Sequence, residues 1–190
     1  MEHVILLDEA GRARGRHDKS TVHTGATPLH LAFSCYVFDT AGRFLLTQRA
    51  IVKKTWPGIW TNSVCGHPQE AESMRAAVAR RAGFELGLDL DEIRLVLPDF
   101  RYRAELDGVV ENEMCPVFHA VARDEPRPNP AEVGAIRWMS WAGFLDAALA
   151  GDPAYSPWCR LQARRLAELG ATPGDWPTAA PAALPPAAQL

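Results

Sequence analysis

Lysine is almost missing from this 190-residue chain: Lys19, Lys53 and Lys54 are the only ones, all in its first third. There is no basic surplus either. The net charge is -3, which argues against a dedicated nucleic-acid binder, since such proteins carry an excess of cations. No apolar run approaches the roughly 20 residues that a membrane-spanning helix needs, so no membrane partner is expected. The opening "MEHVILLDEAG" lacks a basic n-region, and its apolar stretch is too short for a secretory leader. Cysteine is scarce, and Cys35, Cys65, Cys115 and Cys159 form no C-x-x-C pair. Free thiols are therefore expected rather than a disulfide framework, and the cytoplasm is the expected compartment.

What is present suits one globular domain. A hydrophobic share of 47% in a chain of this length can build a well-buried core. The runs "VILLD", "HLAFSCYVFD", "RFLLTQRA", "IRLVLPDFRYRAEL" and "VENEMCPVFHAVA" read as strands, with "DTAG" as a hairpin turn. Residues 73–86 read as a helix that Ser73 caps and Gly87 ends. Gly83 is its flaw, costing about 1 kcal/mol against alanine in a helix interior. Further helices fall near "WAGFLDAALAG" and "SPWCRLQARRLAELG". Beyond residue 171 the composition turns to alanine and proline with almost no charge. Residues 172–190 are expected to be a disordered tail. Strands around an isolated helix, with more helix at the end, predict a mixed α+β domain over residues 1–171.

Three patterns carry chemistry. "TNSVCGHP" sets Cys65 two positions before His67, with no second cysteine waiting to pair. In "VVENEMCPVF", alternation along a strand puts Glu111, Glu113 and Cys115 on one face. Two carboxylates so placed raise each other's pKa unless a cation sits between them, though a solvated edge explains them equally well. His23 and His30, in "VHTGATPLHLAF", would complete a mixed nitrogen and oxygen site with His67, if three separate segments converge. On the central helix Arg81 and Glu85 stand one turn apart. Such a pair fits a metal-bridged diphosphate or an ordinary surface ion pair. The lysines lie close in sequence to Arg49 and His23, which suits either an anion pocket or a solvated basic patch.

The blocks "HLAFS", "KKTWPGIWTNSVCGHPQ", "PDFRYRAE", "VENEMCPVF" and "SPW" together resemble the type 1 isopentenyl-diphosphate delta-isomerases of the Nudix superfamily. They occur in that family's order, and the likeness runs from about residue 3 to 170. The helix departs from the Nudix hydrolase signature. Where that signature has Arg-Glu and then Glu-Glu, this chain has Arg80-Arg81 and Phe84-Glu85, so much of the hydrolytic acid cluster is missing.

The resemblance implies a Nudix-like mixed β-sheet core flanked by helices. It also implies interconversion of isopentenyl and dimethylallyl diphosphate through a tertiary carbocation in a dry pocket. By the same resemblance, Cys65 and Glu113 move the protons, Tyr102 hydrogen-bonds the catalytic carboxylate, and Trp158 faces the cation. His23, His30, His67, Glu111 and Glu113 would hold one divalent metal, Mn²⁺, Zn²⁺ or Mg²⁺. Glu85 would hold Mg²⁺ against the substrate diphosphate, contacted by Lys19, Arg49, Lys53 and Arg81, with Lys54 less clearly placed. The expected partner is the small-molecule substrate alone, and the expected assembly a monomer or weak dimer. Cys35, Cys115 and Cys159 receive no role. Two other readings stay open: a diphosphate hydrolase using metal-activated water, and a non-enzymatic module whose His/Glu cluster only stabilises the fold.

Overall fold

A computed structural model describes residues 2–189. In chain order its elements are β1 (His3–Leu7), β2 (Ala13–Asp18), the single turn α1 (Lys19–Val22), β3 (His30–Leu31), β4 (Phe33–Asp39) and β5 (Phe44–Arg49). There follow β6 (Trp60–Thr61), β7 (Val64–Gly66), α2 (Met74–Leu86), β8 (Leu90–Leu97), β9 (Arg101–Leu106) and β10 (Val109–Met114). The chain continues through β11 (Val117–Ala122), β12 (Val133–Met139), α3 (Trp141–Leu149) and α4 (Pro157–Ala167).

Three of the apolar runs do not form one strand each. "HLAFSCYVFD" breaks at Ala32, "VENEMCPVFHAVA" at Cys115-Pro116, and "IRLVLPDFRYRAEL" at residues 98–100. Each break moves the chain from one sheet to the other. The first sheet runs β2-β1-β3-β10-β9, and the second β12-β5-β4-β11-β8, with β6 on β5 and β7 on β4. Proline explains two of the breaks, because Pro98 and Pro116 have no N–H to give a ladder. Backbone bonds stitch the junction, Ala32 N to Met114 O at 2.9 Å and Cys115 N to Phe100 O at 2.8 Å.

β4 shows why its run reads as continuously apolar. Phe33, Cys35 and Val37 join one core with α2, while Tyr36 and Phe38 join a second core with α3 and α4. Both faces are covered, as in other buried parallel pairings, and β4 pairs in parallel with β11. Ser73 caps α2 by accepting from Ala76 N, and Gly87 ends it in the left-handed region at φ 62. Gly83 lies on the helix's outer face, where an added Cβ would meet only Leu88 O at 3.9 Å.

The tail departs from its expectation. Residues 172–189 form three short 3₁₀ turns across the body of the domain. Trp176 and Leu184 are buried in the two cores. Ala179 N bonds Leu95 O at 2.8 Å, covering the edge of β8, and Ala187 N bonds Gly11 O at 2.9 Å. Composition suggested disorder because prolines and alanines dominate, but one tryptophan and one leucine suffice to anchor a strap with fixed φ angles. No described helix is long and apolar enough to cross a membrane.

Candidate functional site

Strand register assembles the first cluster. Glu113 on β10 stands opposite His30 on β3 and Tyr102 on β9, so three side chains share a row across the sheet. The Tyr102 hydroxyl donates to Glu113 Oε2 at 2.8 Å. Glu113 Oε1 faces His30 Nε2 at 3.3 Å and His67 Nε2 at 3.2 Å. α1 brings in the third imidazole. Asp18 caps that turn through Ser20 N at 2.8 Å, and His23 follows as its last cap residue.

Ligating atoms of His23, His30, His67 and Glu113 lie within 4.8 Å of one another. Glu111 is buried beside this group rather than in it, with Oε2 3.0 Å from His23 Nε2. The donor set fits a divalent cation. His30 Nδ1 lies 2.9 Å from the Pro28 carbonyl, which can only accept, so Nδ1 carries a proton and Nε2 is the nitrogen turned toward the Glu113 carboxylate. Nε2 of His23 and of His30 are buried without a hydrogen-bond partner. Nitrogen lone pairs and a carboxylate turned toward one point are the arrangement a metal completes. Burial carries His67 down to about 3 despite the pull of Glu113, whereas at His30 the contacts with Glu113 outweigh burial and raise it. At Glu113 burial alone would raise the carboxyl, but the neighbouring imidazoles of His30 and His67 outweigh it and hold it well below the usual range.

Cys65 sits on β7, opposite Ser34 of β4, and opens onto the same cleft as Glu113. Its thiol donates to Asn62 Oδ1 at 3.2 Å, and Ser34 Oγ lies 3.5 Å from the sulfur. Asn62 cannot turn round, because its amide nitrogen bonds the Val64 and Cys35 carbonyls. Burial pushes the thiol up to about 11, against the downward pull of Ser34 and Asn62. The glycine between Cys65 and His67 has a steric reason. A Cβ on Gly66 would meet Arg81 Cγ at 2.9 Å and Phe33 Cζ at 3.1 Å.

The cleft has a volume of about 810 Å³. Trp158, at the start of α4, forms part of its wall and packs against Tyr102 and edge-on to Trp56, ring centroids 5.7 and 5.4 Å apart. Lys19, Arg49, Lys53, Lys54 and Arg81 also line the cleft, together with Glu85, and the Arg49 guanidinium lies 5.9 Å from the Trp158 ring centroid. α2 buries Arg81 and Glu85 as an ion pair on its inner face, so the pair is not on the surface. Burial raises Glu85, and Glu132 adds to this, against the pull of Arg81. Arg49 is partly committed elsewhere. Its Nε and Nη2 bond the Thr55 and Trp56 carbonyls at 2.8–3.2 Å.

Comparison with known proteins agrees with this geometry. The NUDIX domain family matches residues 28–159. An isopentenyl-diphosphate Delta-isomerase of Saccharopolyspora erythraea is 58% identical over 100% of this chain and 98% of its own length. One from Clavibacter michiganensis is 55% identical over 98% of this chain and 97% of its own. The chain belongs to the isopentenyl-diphosphate Delta-isomerase family of Nudix proteins. The fold is shared more widely in that superfamily. A crystal structure from Deinococcus radiodurans has a TM-score of 0.67 at 18% identity, covering 86% of this chain and 98% of its own. A MutT protein from Methanosarcina mazei has a TM-score of 0.58 at 20% identity, over 74% and 94%.

Within this isomerase-family chain, every residue singled out from sequence lies on or beside the one cleft. Cys35 and Cys159 lie away from it in the cores, and Cys115 contacts Ser34 Oγ at 3.4 Å. Sequence reasoning missed Asn62 and Ser34, although both lie inside quoted blocks, because neither residue type signals chemistry. It also missed Glu2 and Glu132, which line the cleft and belong to no pattern.

Proposed function

We propose that this cleft performs the reaction for which its relatives are named, the interconversion of isopentenyl and dimethylallyl diphosphate, with Cys65 and Glu113 as the proton-transferring pair. The chain is an isomerase of the Nudix superfamily. One member of the pair adds a proton to the allylic unit and the other removes one, so both are used in either direction. The observation that carries this reading is the convergence of three imidazoles and Tyr102 on Glu113, in the same cleft as a half-buried, oriented thiol.

An alkene is a weak base, and the cation it forms is trapped by water. Trp158 supports both needs. Its ring excludes solvent and offers a π face, worth about 2 kcal/mol to a desolvated cation, without a lone pair that could add to it. Tyr102 orients the Glu113 carboxylate from one side, and the imidazoles fix the other. His23, His30, His67 and Glu113 would hold one divalent ion, Mn²⁺, Zn²⁺ or Mg²⁺, with Glu111 supporting His23. When bound, that ion supplies positive charge that tunes the proton affinity of Glu113. Lys19, Arg49, Lys53 and Arg81 would anchor the diphosphate, with Mg²⁺ at Glu85, so that binding energy far from the alkene positions the reacting carbons. The reading includes a monomer or weak dimer in the cytoplasm, where four unpaired thiols stay reduced.

The test is incubation of the purified chain with isopentenyl diphosphate and Mg²⁺ in deuterated water. Deuterium in a dimethylallyl product is expected. Phosphate release without deuterium uptake would sink the isomerase reading in favour of a hydrolase, and no turnover would leave only the structural role of the cluster.

A further inference from the structure

Three of the cations that line the cleft, Lys19, Lys53 and Arg81, already have anions of their own. Glu132, just ahead of β12, sets Oε2 2.5 Å from Lys53 Nζ and 3.1 Å from an Arg81 Nη. Lys19 pairs with Glu2 at 2.6 Å, and Arg81 with Glu85. Along the whole cleft, the five cations face six carboxylates, so the wall is not an electropositive trap that draws in any anion. Glu132 bridges two separate elements, Lys53 of the loop after β5 and Arg81 of α2, through one oxygen, whereas Glu2 reaches Lys19 and, at 3.6 Å, Arg81 through different oxygens. Its oxygen lies where one oxygen of a phosphoryl group would meet both cations. The three side chains are 17%, 23% and 5% exposed, so water screens them only partly.

We propose that Glu132 is a resident counter-anion in the diphosphate seat, and that it makes diphosphate binding conditional on a divalent cation. This rests on the diphosphate reading of the cleft. An incoming diphosphate without metal must break both Glu132 contacts and then lie beside the displaced carboxylate, a like-charge arrangement that weakens what the cations of the wall offer it. A divalent cation arriving with the diphosphate supplies the positive charge that Glu132 loses. The residue thereby selects metal-complexed diphosphates over free phosphate and small carboxylates, which hold a divalent cation less tightly than a chelating diphosphate does. It acts on specificity, touching neither the alkene nor the proton-transferring pair.

The experiment is calorimetric titration of the full chain with inorganic pyrophosphate, with Mg²⁺ and with chelator, in the wild type, Glu132→Gln and Glu132→Asp. The wild type is expected to bind about tenfold more tightly, or better, with Mg²⁺. Glu132→Gln keeps the shape and removes the charge, so metal-free pyrophosphate should bind about tenfold more tightly than to wild type, with little further gain from Mg²⁺. Glu132→Asp retains the charge and should retain the Mg²⁺ dependence. Glu2→Gln, which frees Lys19 and the weaker 3.6 Å contact to Arg81, should shift affinity in the same direction by less, a check that survives if Glu132→Gln does not fold. A wild-type Mg²⁺ dependence in Glu132→Gln overturns the proposal alone. So does loss of pyrophosphate binding in that variant under both conditions. Failure of the wild type to bind pyrophosphate even with Mg²⁺ overturns the diphosphate reading, and the proposal with it.

Discussion

His30 and Glu113 are partners in the parallel pairing of β3 with β10, and their Nε2 and Oε1 atoms lie 3.3 Å apart. Neither strand is long; β3 is two residues. The pairing exists because both runs leave the second sheet at a break, Ala32 in one and Cys115-Pro116 in the other. The site is therefore built where the two sheets part.

Replacing Cys65 by alanine should lower isomerase turnover by about a thousandfold or more, the range lost with a positioned acid or base. Circular dichroism should be unchanged, since the thiol packs at the cleft rather than in a core centre. Deuterium uptake into product gives the measurement, and retention of most turnover would remove Cys65 from the mechanism.

Glu113→Gln keeps the side chain's volume but places a neutral amide between two imidazoles. Turnover should fall as far as in the Cys65 variant, and bound divalent metal, measured by elemental analysis, should fall as well. A variant that lost activity at full metal content would show that Glu113 acts in proton transfer without ligating.

Chelation should lower the melting temperature, because an ion bound only to the folded state stabilises it by about 2.7 kcal/mol at a hundredfold excess over its dissociation constant. In the double variant His30→Ala/His67→Ala the melting temperature should no longer respond to chelator. An unchanged response would place the ion elsewhere.

Trp158→Phe should cost less turnover than Trp158→Ala. A ring remains in the first, whereas the second forfeits about 2 kcal/mol of cation stabilisation, roughly thirtyfold in rate. Equal losses would make Trp158 a wall and nothing more.

His119 gives a pH dependence independent of the site. It stacks on Phe38, ring centroids 5.0 Å apart. Burial, with Arg94 adding to it, carries the imidazole from 6.5 down to about 4. The folded value is below the unfolded one, so the unfolded chain binds the proton first. Stability is then complete above about 6.5 and is lost as pH falls toward about 4. His119→Phe keeps a ring there, and should reduce the loss of unfolding free energy between pH 7 and pH 4 by about 2 kcal/mol in denaturant titrations. An identical acid loss in both proteins would exclude His119 as a contributor.

Trp176→Ala should destabilise the domain by about 3–5 kcal/mol, the usual cost of deleting a buried tryptophan. A free tail would make the same change neutral, so one urea titration separates the two cases.

Much of this was legible in one dimension. Apolar runs marked the longer strands, Ser73 and Gly87 marked the ends of α2 to within a residue, and "WTNSVCGHP" with "VENEMCPVF" marked the chemistry. The short strands β2, β6 and β7 escaped, as did β12. β2 is exposed along most of its length and lacks the alternation that a buried face imposes. β6 and β7 are too short for any period to show.

The sequence by itself determined which side chains were available, a thiol, three imidazoles, two spaced carboxylates and a few cations, because residue chemistry is local. Tertiary structure alone decided their grouping. It sent single apolar runs into two sheets, turned Arg81 and Glu85 inward, bound Asn62 and Ser34 to the thiol, and set Glu132 between Lys53 and Arg81. The physical reason is that the contacts of Ser34 with Cys65 and of Glu132 with Lys53 and Arg81 join residues 31 to 79 positions apart, and their geometry is set by register and packing rather than by spacing along the chain.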